Sequence, residues 1–244
     1  MKTFAYTVMP EEKRLPAIGL IVLQSDETIE QDFRWLFSPQ VCDLYVSRVP
    51  SGLEVTGDTL AEMAQTLPMA ASLFPQSLSL DVIGYGCTSG SSVIGPDRVA
   101  ALVREGRPKT HAASAVTEPL SALITACKAR GITRLALLSP YIEDVSAALR
   151  ARLSDAGIET PLFGSFSEAE EAKVARIDEA SIMAAATALC VDRKGDFDGL
   201  FLSCTNLKAL DVLAPLEESL GVPVMSSNSV LADHMSMLAG IEVA

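Results

Sequence analysis

Two of the five cysteines in this 244-residue chain sit in matching runs of residues. The first run reads Asp81-Val-Ile-Gly-Tyr-Gly-Cys87-Thr88-Ser89, and the second reads Asp198-Gly-Leu-Phe-Leu-Ser-Cys204-Thr205-Asn206. Each places an Asp six residues before the Cys, an apolar run between them, and a small polar residue after Cys-Thr. A repeat that keeps a reactive side chain implies two half-sites facing one another. A thiol on each face of a pocket can move a proton or attack a carbon without a cofactor. Cys42, Cys127 and Cys190 lie in apolar stretches and read as core residues.

Cys87 opens a loop of small residues, Gly84, Gly86, Thr88, Ser89, Gly90, Ser91 and Ser92, whose backbone N–H groups can approach a carboxylate closely. The glycine spacing fits neither the dinucleotide fingerprint nor the phosphate P-loop. The structural alternative is a tight strand-to-helix turn around a buried thiol, and the second Cys-Thr weighs against it. Cys204 is also expected where a strand meets a helix, and a helix N-terminus lowers a thiol pKa from ~8.5 towards neutrality. Asp26 follows the first buried strand and is either a helix N-cap or a cleft residue. Tyr141 is either a packing residue or a hydroxyl in the cleft. Ser226-Ser227-Asn228 caps the last helix or borders the cleft. His111 and His234 have no partner visible in the sequence, and two histidines offer little to a zinc site. No Ser/His/Asp triad stands out.

The elements that must position these groups alternate along the chain. Strands are expected at 18–23, 41–49, 80–85, 134–138, 159–163, 199–202 and 222–224. Helices are expected at 28–37, 57–74 (with a break or kink at Pro68), 96–104, 117–130, 142–155, 168–190, 205–219 and 229–238. Such alternation argues parallel sheets flanked by helices. Ligands in such sheets bind beyond the carboxyl ends of the strands, where Asp26, Cys87, Tyr141 and Cys204 all fall. The expectation is α/β: two pseudo-symmetric Rossmann-like lobes with one cleft. Residues 1–112, plus a returning segment 222–244, would form the lobe carrying Cys87, and 113–221 the lobe carrying Cys204. Asp26 and Tyr141 would be counterparts, 115 residues apart (141 − 26), beside the 117 that separate the cysteines (204 − 87).

Composition narrows the function. An apolar fraction of 49% and a mean hydropathy of +0.30 describe a globular chain. Nineteen Lys and Arg against 31 Asp and Glu give a net charge of −12, with no basic stripe, which argues against nucleic acid. No run approaches the ~18–20 apolar residues of a membrane span, so no membrane partner is expected. Lys2 and the Glu11-Glu-Lys-Arg14 interruption do not form a signal peptide, and five cysteines with no C-x-x-C pair point to reduced thiols in the cytoplasm.

Gly86-Cys-Thr-Ser-Gly-Ser91, Leu138-Ser-Pro-Tyr141, Leu202-Ser-Cys-Thr-Asn-Leu207 and Val224-Met-Ser-Ser-Asn228 resemble the maleate cis-trans isomerase and arylmalonate decarboxylase branch of the aspartate/glutamate racemase superfamily. The opening Gly19-Leu-Ile-Val-Leu-Gln-Ser-Asp26-Glu-Thr-Ile-Glu30 looks most like racemase-like proteins of ectoine utilisation. The resemblance implies one catalytic Cys per lobe, no cofactor and no metal, and a homo-oligomer acting on a small carboxylate or amino acid. It casts Cys87 as the residue that adds to an alkene or exchanges a proton, and Cys204 as its acid/base partner. Decarboxylases of this branch generally lack the first-lobe Cys, so Cys87 argues against decarboxylation. Tyr141 would hydrogen-bond a substrate carboxylate. Thr88 and Ser89 match the first-lobe carboxylate cradle, and Thr205 and Asn206 the second.

Two positions depart from the maleate isomerase pattern. Asp26 and, ahead of Val174-Ala-Arg176-Ile177, Glu171 stand where that pattern has Asn. Carboxylates repel a dianion and attract an ammonium group, so an amino-acid or diamino-acid substrate is expected. Three functions follow: a two-cysteine racemase or epimerase, a maleate-type isomerase with Cys87 as nucleophile, and a non-catalytic two-lobed binding protein.

Overall fold

The computed structural model describes residues 1–52, 54–109 and 114–241; His111 and the expected lobe boundary at 112/113 lie outside them. The chain runs β1 (Ala17–Leu23), α1 (Ile29–Leu36), β2 (Asp43–Val49), α2 (Gly57–Ser72), β3 (Val82–Gly86), α3 (Thr88–Ile94), α4 (Pro96–Glu105), β4 (Ala115–Thr117) and α5 (Pro119–Arg130). It continues with β5 (Arg134–Tyr141), α6 (Glu143–Asp155), β6 (Glu159–Glu168), α7 (Glu171–Val174), α8 (Glu179–Cys190), β7 (Gly199–Leu202), α9 (Leu210–Leu220), β8 (Val224–Ser226) and α10 (Ser227–Ala239). Two four-stranded parallel sheets result, ordered β2-β1-β3-β4 and β6-β5-β7-β8. β1, β3 and β7 are buried along their whole length, as strands covered on both faces must be.

The duplicated Asp has a structural task in each lobe. Asp81 Oδ2 accepts the N–H of Ala17, the first residue of β1, at 2.8 Å. Asp198 Oδ2 accepts the N–H of Arg134, the first residue of β5, at 3.0 Å. Ala17 and Arg134, Asp81 and Asp198, and Cys87 and Cys204 are therefore offset by one constant (134 − 17 = 198 − 81 = 204 − 87 = 117). Tyr141 is then the counterpart of Gln24 rather than of Asp26, a correction of two residues.

Each lobe lends its last helix to the other. α5 follows β4 of the first sheet yet packs Leu120, Leu123 and Cys127 on Leu135, Leu137 and Phe201 of the second. α10 follows β8 of the second sheet and packs Leu231 and Met235 on Ile18, Leu20 and Val82 of the first. Each fully buried Leu or Met contributes about 1.5–3 kcal/mol, so the exchange ties the lobes together. By sheet membership the first lobe's strands reach Thr117 and the second lobe's reach Ser226, so only α10 returns. The sequence reading placed 113–117 in the second lobe and 222–226 in the first.

Several element boundaries also differ. α2 runs through Pro68 without ending, because Leu60, Met63, Leu67 and Ala70 bury one face on either side of it. The expected helix 168–190 divides: β6 extends to Glu168, and two shorter helices follow. Beyond Cys204 the chain turns, and α9 begins only at Leu210. Two short elements, α3 and β4, have no counterpart in the sequence reading.

Candidate active site

Cys87 ends the connection out of β3 and caps α3: its Sγ accepts the Gly90 N–H at 3.2 Å. The small-residue loop is thus a first helical turn wrapped around the thiol. Gly90 is required there, since a Cβ would lie 2.7 Å from the Tyr85 hydroxyl and 2.9 Å from Cys87 Sγ. Cys204 follows β7 with φ of 115°, a left-handed conformation that costs a non-glycine residue about 1–3 kcal/mol. Ser227 Oγ holds the Cys204 backbone, accepting its N–H at 2.9 Å, and lies 2.7 Å from Thr88 Oγ1. Ser227 therefore pins the two Cys-Thr turns to each other.

Both thiols line one cavity of about 220 Å³, together with Leu23, Val55, Leu60, Thr88, Ser89, Tyr141, Glu171 and Thr205. A larger hollow of about 570 Å³, lined by Glu27, Asp32, Glu179, Lys208 and Asp211 among others, contains no thiol. Val55, whose N–H donates to Ala169 O at 3.1 Å, and the Glu54–Glu170 bridge beside it hold one wall of the cavity in place. Leu23, Val55 and Leu60 give the cavity its apolar wall, which no motif in the sequence announced.

Glu171 enters the cavity from the first residue of α7. Its Oε1 accepts from the Tyr141 hydroxyl at 2.8 Å, and its Oε2 from Asn206 Nδ2 at 2.9 Å. The Tyr141 oxygen lies 3.0 Å from Cys204 Sγ, which also accepts the Asn206 N–H at 3.3 Å. Asp26 holds the start of α1 and reaches the opposite lobe without lining the cavity. Its Oδ1 accepts the N–H groups of Thr28 and Ile29 at 2.8 Å, capping α1, and its Oδ2 accepts from the Thr205 hydroxyl of the opposite lobe at 2.9 Å. The Asn206 side-chain oxygen Oδ1 accepts the Glu27 N–H at 2.8 Å, and its backbone carbonyl accepts from the Thr28 hydroxyl at 3.0 Å. Asp26 and Asn206 do not line the cavity; they brace the residues that do.

Burial governs the ionisation of every one of these groups. The Cys87 thiol is pushed up to about 12, chiefly by desolvation, against the Gly90 N–H that favours the thiolate. Cys204 is raised well above its ordinary value, by desolvation first and then by the Glu171 carboxylate. The helix-start depression expected at Cys204 is absent because no helix starts there, and at Cys87 burial outweighs the cap. Glu171 and Asp26 are raised by desolvation, opposed by the donors they accept. None of the residues lining the cavity is a Lys or Arg. The nearby cations are engaged outside: Arg48 with Glu30 and the Leu23 carbonyl, Lys173 with Glu168 and Glu170, and Arg176 with Glu27.

The other flagged groups are structural. Cys42, Cys127 and Cys190 are buried in the core. His234 pairs with Thr117, Nδ1 to Oγ1 at 2.7 Å, fastening α10 to the end of β4. Asn228 Nδ2 donates to Asp32 Oδ2 at 2.7 Å and to the Thr205 carbonyl at 2.9 Å, so it sits behind the second Cys-Thr turn. Among the described residues, no helix is long and apolar enough to cross a membrane, and no group of three His, Cys, Asp or Glu could hold a metal.

Two parallel-sheet lobes that each deliver a thiol to one shared cavity define a narrow class of α/β protein. The chain belongs to the arylmalonate decarboxylase family, whose sequence pattern matches residues 53–242. It is 28% identical over 225 residues to the arylmalonate decarboxylase of Bordetella bronchiseptica, covering 89% of this chain and 88% of that one. It is 26% identical to the maleate isomerase of Nocardia farcinica, over 86% of this chain and 84% of the relative. A solved structure of a Nocardia farcinica maleate cis-trans isomerase mutant, with a covalently bound succinylcysteine intermediate, superposes with a TM-score of 0.83. That match has 23% identity and covers 93% of each chain.

Proposed function

We propose that the protein is a cofactor-independent racemase or epimerase, acting on a small amino-acid or diamino-acid carboxylate by proton transfer between Cys87 and Cys204. The carrying observation is the pairing of a thiol from each lobe around one cavity that also buries Glu171 and contains no Lys or Arg. One cysteine removes the α-hydrogen as thiolate, and the other, as thiol, returns a proton to the opposite face. The substrate's ammonium group faces Glu171, with the Asp26 carboxylate behind Thr205. On this reading the enzyme works as a cytoplasmic homo-oligomer, with ectoine breakdown as its setting.

The second reading is maleate-type cis-trans isomerisation, with Cys87 adding to the alkene and Cys204 exchanging the proton. It is favoured by the family of relatives and by the succinylcysteine held in one of them. Against it stands Glu171, a carboxylate lining the cavity that would repel a dianion bound there.

A panel of D- and L-amino acids and maleate, assayed without added cofactor in deuterium oxide, separates the two. Racemisation should carry solvent deuterium into the α-carbon, and Cys87→Ala and Cys204→Ala should each abolish it. Normal racemisation by either variant would falsify the two-base scheme. A quenched adduct on Cys87 with maleate would establish the second reading instead.

A further inference from the structure

We propose that Cys204, Tyr141 and Glu171 form a proton relay, in which Glu171, reached through the Tyr141 hydroxyl, takes the Cys204 thiol proton. The proposal deepens the reading above by naming how one of its two thiols becomes a base.

Hydrogen counting sets the direction. The Tyr141 hydroxyl carries one hydrogen, and it points to Glu171 Oε1 at 2.8 Å. The Tyr141 oxygen then faces Cys204 Sγ at 3.0 Å as an acceptor, so the thiol S–H is the donor in that contact. Moving both hydrogens one place transfers a proton from sulfur to oxygen and from oxygen to the carboxylate. One S–H bond breaks and one carboxyl O–H bond forms, with Tyr141 unchanged. The thiolate that results accepts two hydrogen bonds, from the Tyr141 hydroxyl and from the Asn206 N–H. Asn206 Nδ2 remains on Glu171 Oε2 and holds the acid in place.

The relay answers a difficulty of this site. Desolvation opposes a thiolate at either cysteine, and a second negative charge beside Glu171 would oppose it further. The transfer adds no charge, because the negative charge leaves Glu171 as it arrives on Cys204. The charged and titratable groups facing Glu171 are Tyr141, Cys204, Cys87 and Asp26, none of them cationic. Cys87 has no such chain: its sulfur meets the Gly90 N–H and the Tyr85 hydroxyl, and the hydrogen-bonded partner of that hydroxyl is Met63 Sδ at 3.5 Å. The two thiols are thus inequivalent, and the second-lobe cysteine is the one supplied with a base.

The test reads the thiols directly and needs no substrate, so its outcome is separable from the failure of any activity assay. A small alkylating reagent is applied across pH 5–10, and each cysteine is quantified by peptide mass spectrometry. Two groups that share one proton titrate as a pair. In the wild-type protein the Cys204 rate should climb as the pair loses its first proton, hold within about twofold across neutral pH, and climb again when the second leaves. Glu171→Gln keeps the shape but cannot take the proton. Its Cys204 rate should rise about tenfold per pH unit with no flat region until the thiol itself titrates. Tyr141→Phe leaves the carboxylate and so keeps a flat region, but without the hydroxyl's hydrogen bond to the thiolate its height should fall about tenfold; it also serves if Glu171→Gln does not fold. Cys87 should show a single rise in all three proteins. A single high-pH rise for Cys204 in the wild type, parallel to Glu171→Gln, would overturn the relay. So would a flat region whose height Tyr141→Phe leaves unchanged.

Discussion

Replacing Glu171 by Gln should turn the cavity from one that rejects dianions into one that admits them. Glu171 lines the cavity with both thiols, so a dianion bound between the thiols would bring a carboxylate to roughly 4 Å from it. Two like charges at that distance, at an effective dielectric near 20, repel by about 4 kcal/mol, or roughly a thousandfold in affinity. Raised by desolvation, Glu171 has an escape: it can take a proton when the dianion arrives. The penalty on maleate therefore grows with pH until it reaches the Coulomb limit, and maleate binding is accompanied by proton uptake. Calorimetric titration of maleate into the wild type and Glu171→Gln at pH 6 and pH 8 measures both effects. The variant should bind maleate more tightly by at least tenfold at pH 8, with the gap narrowing at pH 6. An ammonium-bearing ligand should show the reverse order, weaker in the variant. Equal maleate affinity for the two proteins at both pH values would refute the electrostatic reasoning. It would also remove the main ground for preferring an amino acid over a dicarboxylate.

Three further outcomes are expected. Asp81→Ala and Asp198→Ala each remove the carboxylate that anchors the first residue of a lobe's first strand. Both groups are partly solvated, so each should cost about 1 kcal/mol in urea unfolding, and no change in either would dismiss the anchoring role. Gly90→Ala pushes a methyl against Cys87 Sγ and the Tyr85 hydroxyl, and should destabilise by about 1–3 kcal/mol while altering the alkylation rate of Cys87 far more than that of Cys204. Asp32 is raised to about 6 by burial, with Asp26 and Asp211 adding to the rise. The native state then binds the proton more tightly than the unfolded chain, so the stability from this group is full below pH ~4 and is lost as pH rises to about 6. Asp32→Asn should flatten that decline and stabilise the protein by roughly 1–2 kcal/mol at pH 7.5, a discounted figure because the group is partly solvated. An unchanged stability difference between pH 4.5 and 7.5 in the variant would refute the assignment.

The parts legible in the sequence were those with a local signature. The Asp-to-Cys spacing marked the repeat because a parallel strand, its anchor and its exit turn are all set within a few residues. Glycines past the ends of α5 and α9, at φ of 68° and 71°, marked where those helices stop. What escaped was set by tertiary packing. Pro68 lies inside α2 because buried contacts on both sides outweigh a break that proline favours by about 3 kcal/mol. α3 escaped because Thr-Ser-Gly-Ser-Ser has poor helix propensity, and its turn is held by the Cys87 cap and by Ser91 and Ser92 bonding back to Cys87 O and Thr88 O. The thiol pKa went the wrong way because burial depends on Leu23, Val55 and Leu60, which arrive from distant parts of the chain.

The same segment that closes the cavity also places its carboxylate. Val55 binds Ala169 O, Glu54 pairs with Glu170, and Glu171 is the next residue, the start of α7. Desolvation of the thiols and the position of the Cys204 base are linked through one stretch of backbone. Burial favours the neutral thiols while Glu171 stands 2.8 Å from Tyr141 as the acceptor. A sulfur from each lobe lines the cavity, but of the two only Cys204 has a hydrogen-bonded path to a carboxylate. That asymmetry, in a fold built from two copies of one unit, rests on Glu171 and Tyr141 of the second lobe. Gln24, the counterpart of Tyr141 in the first lobe, does not line the cavity.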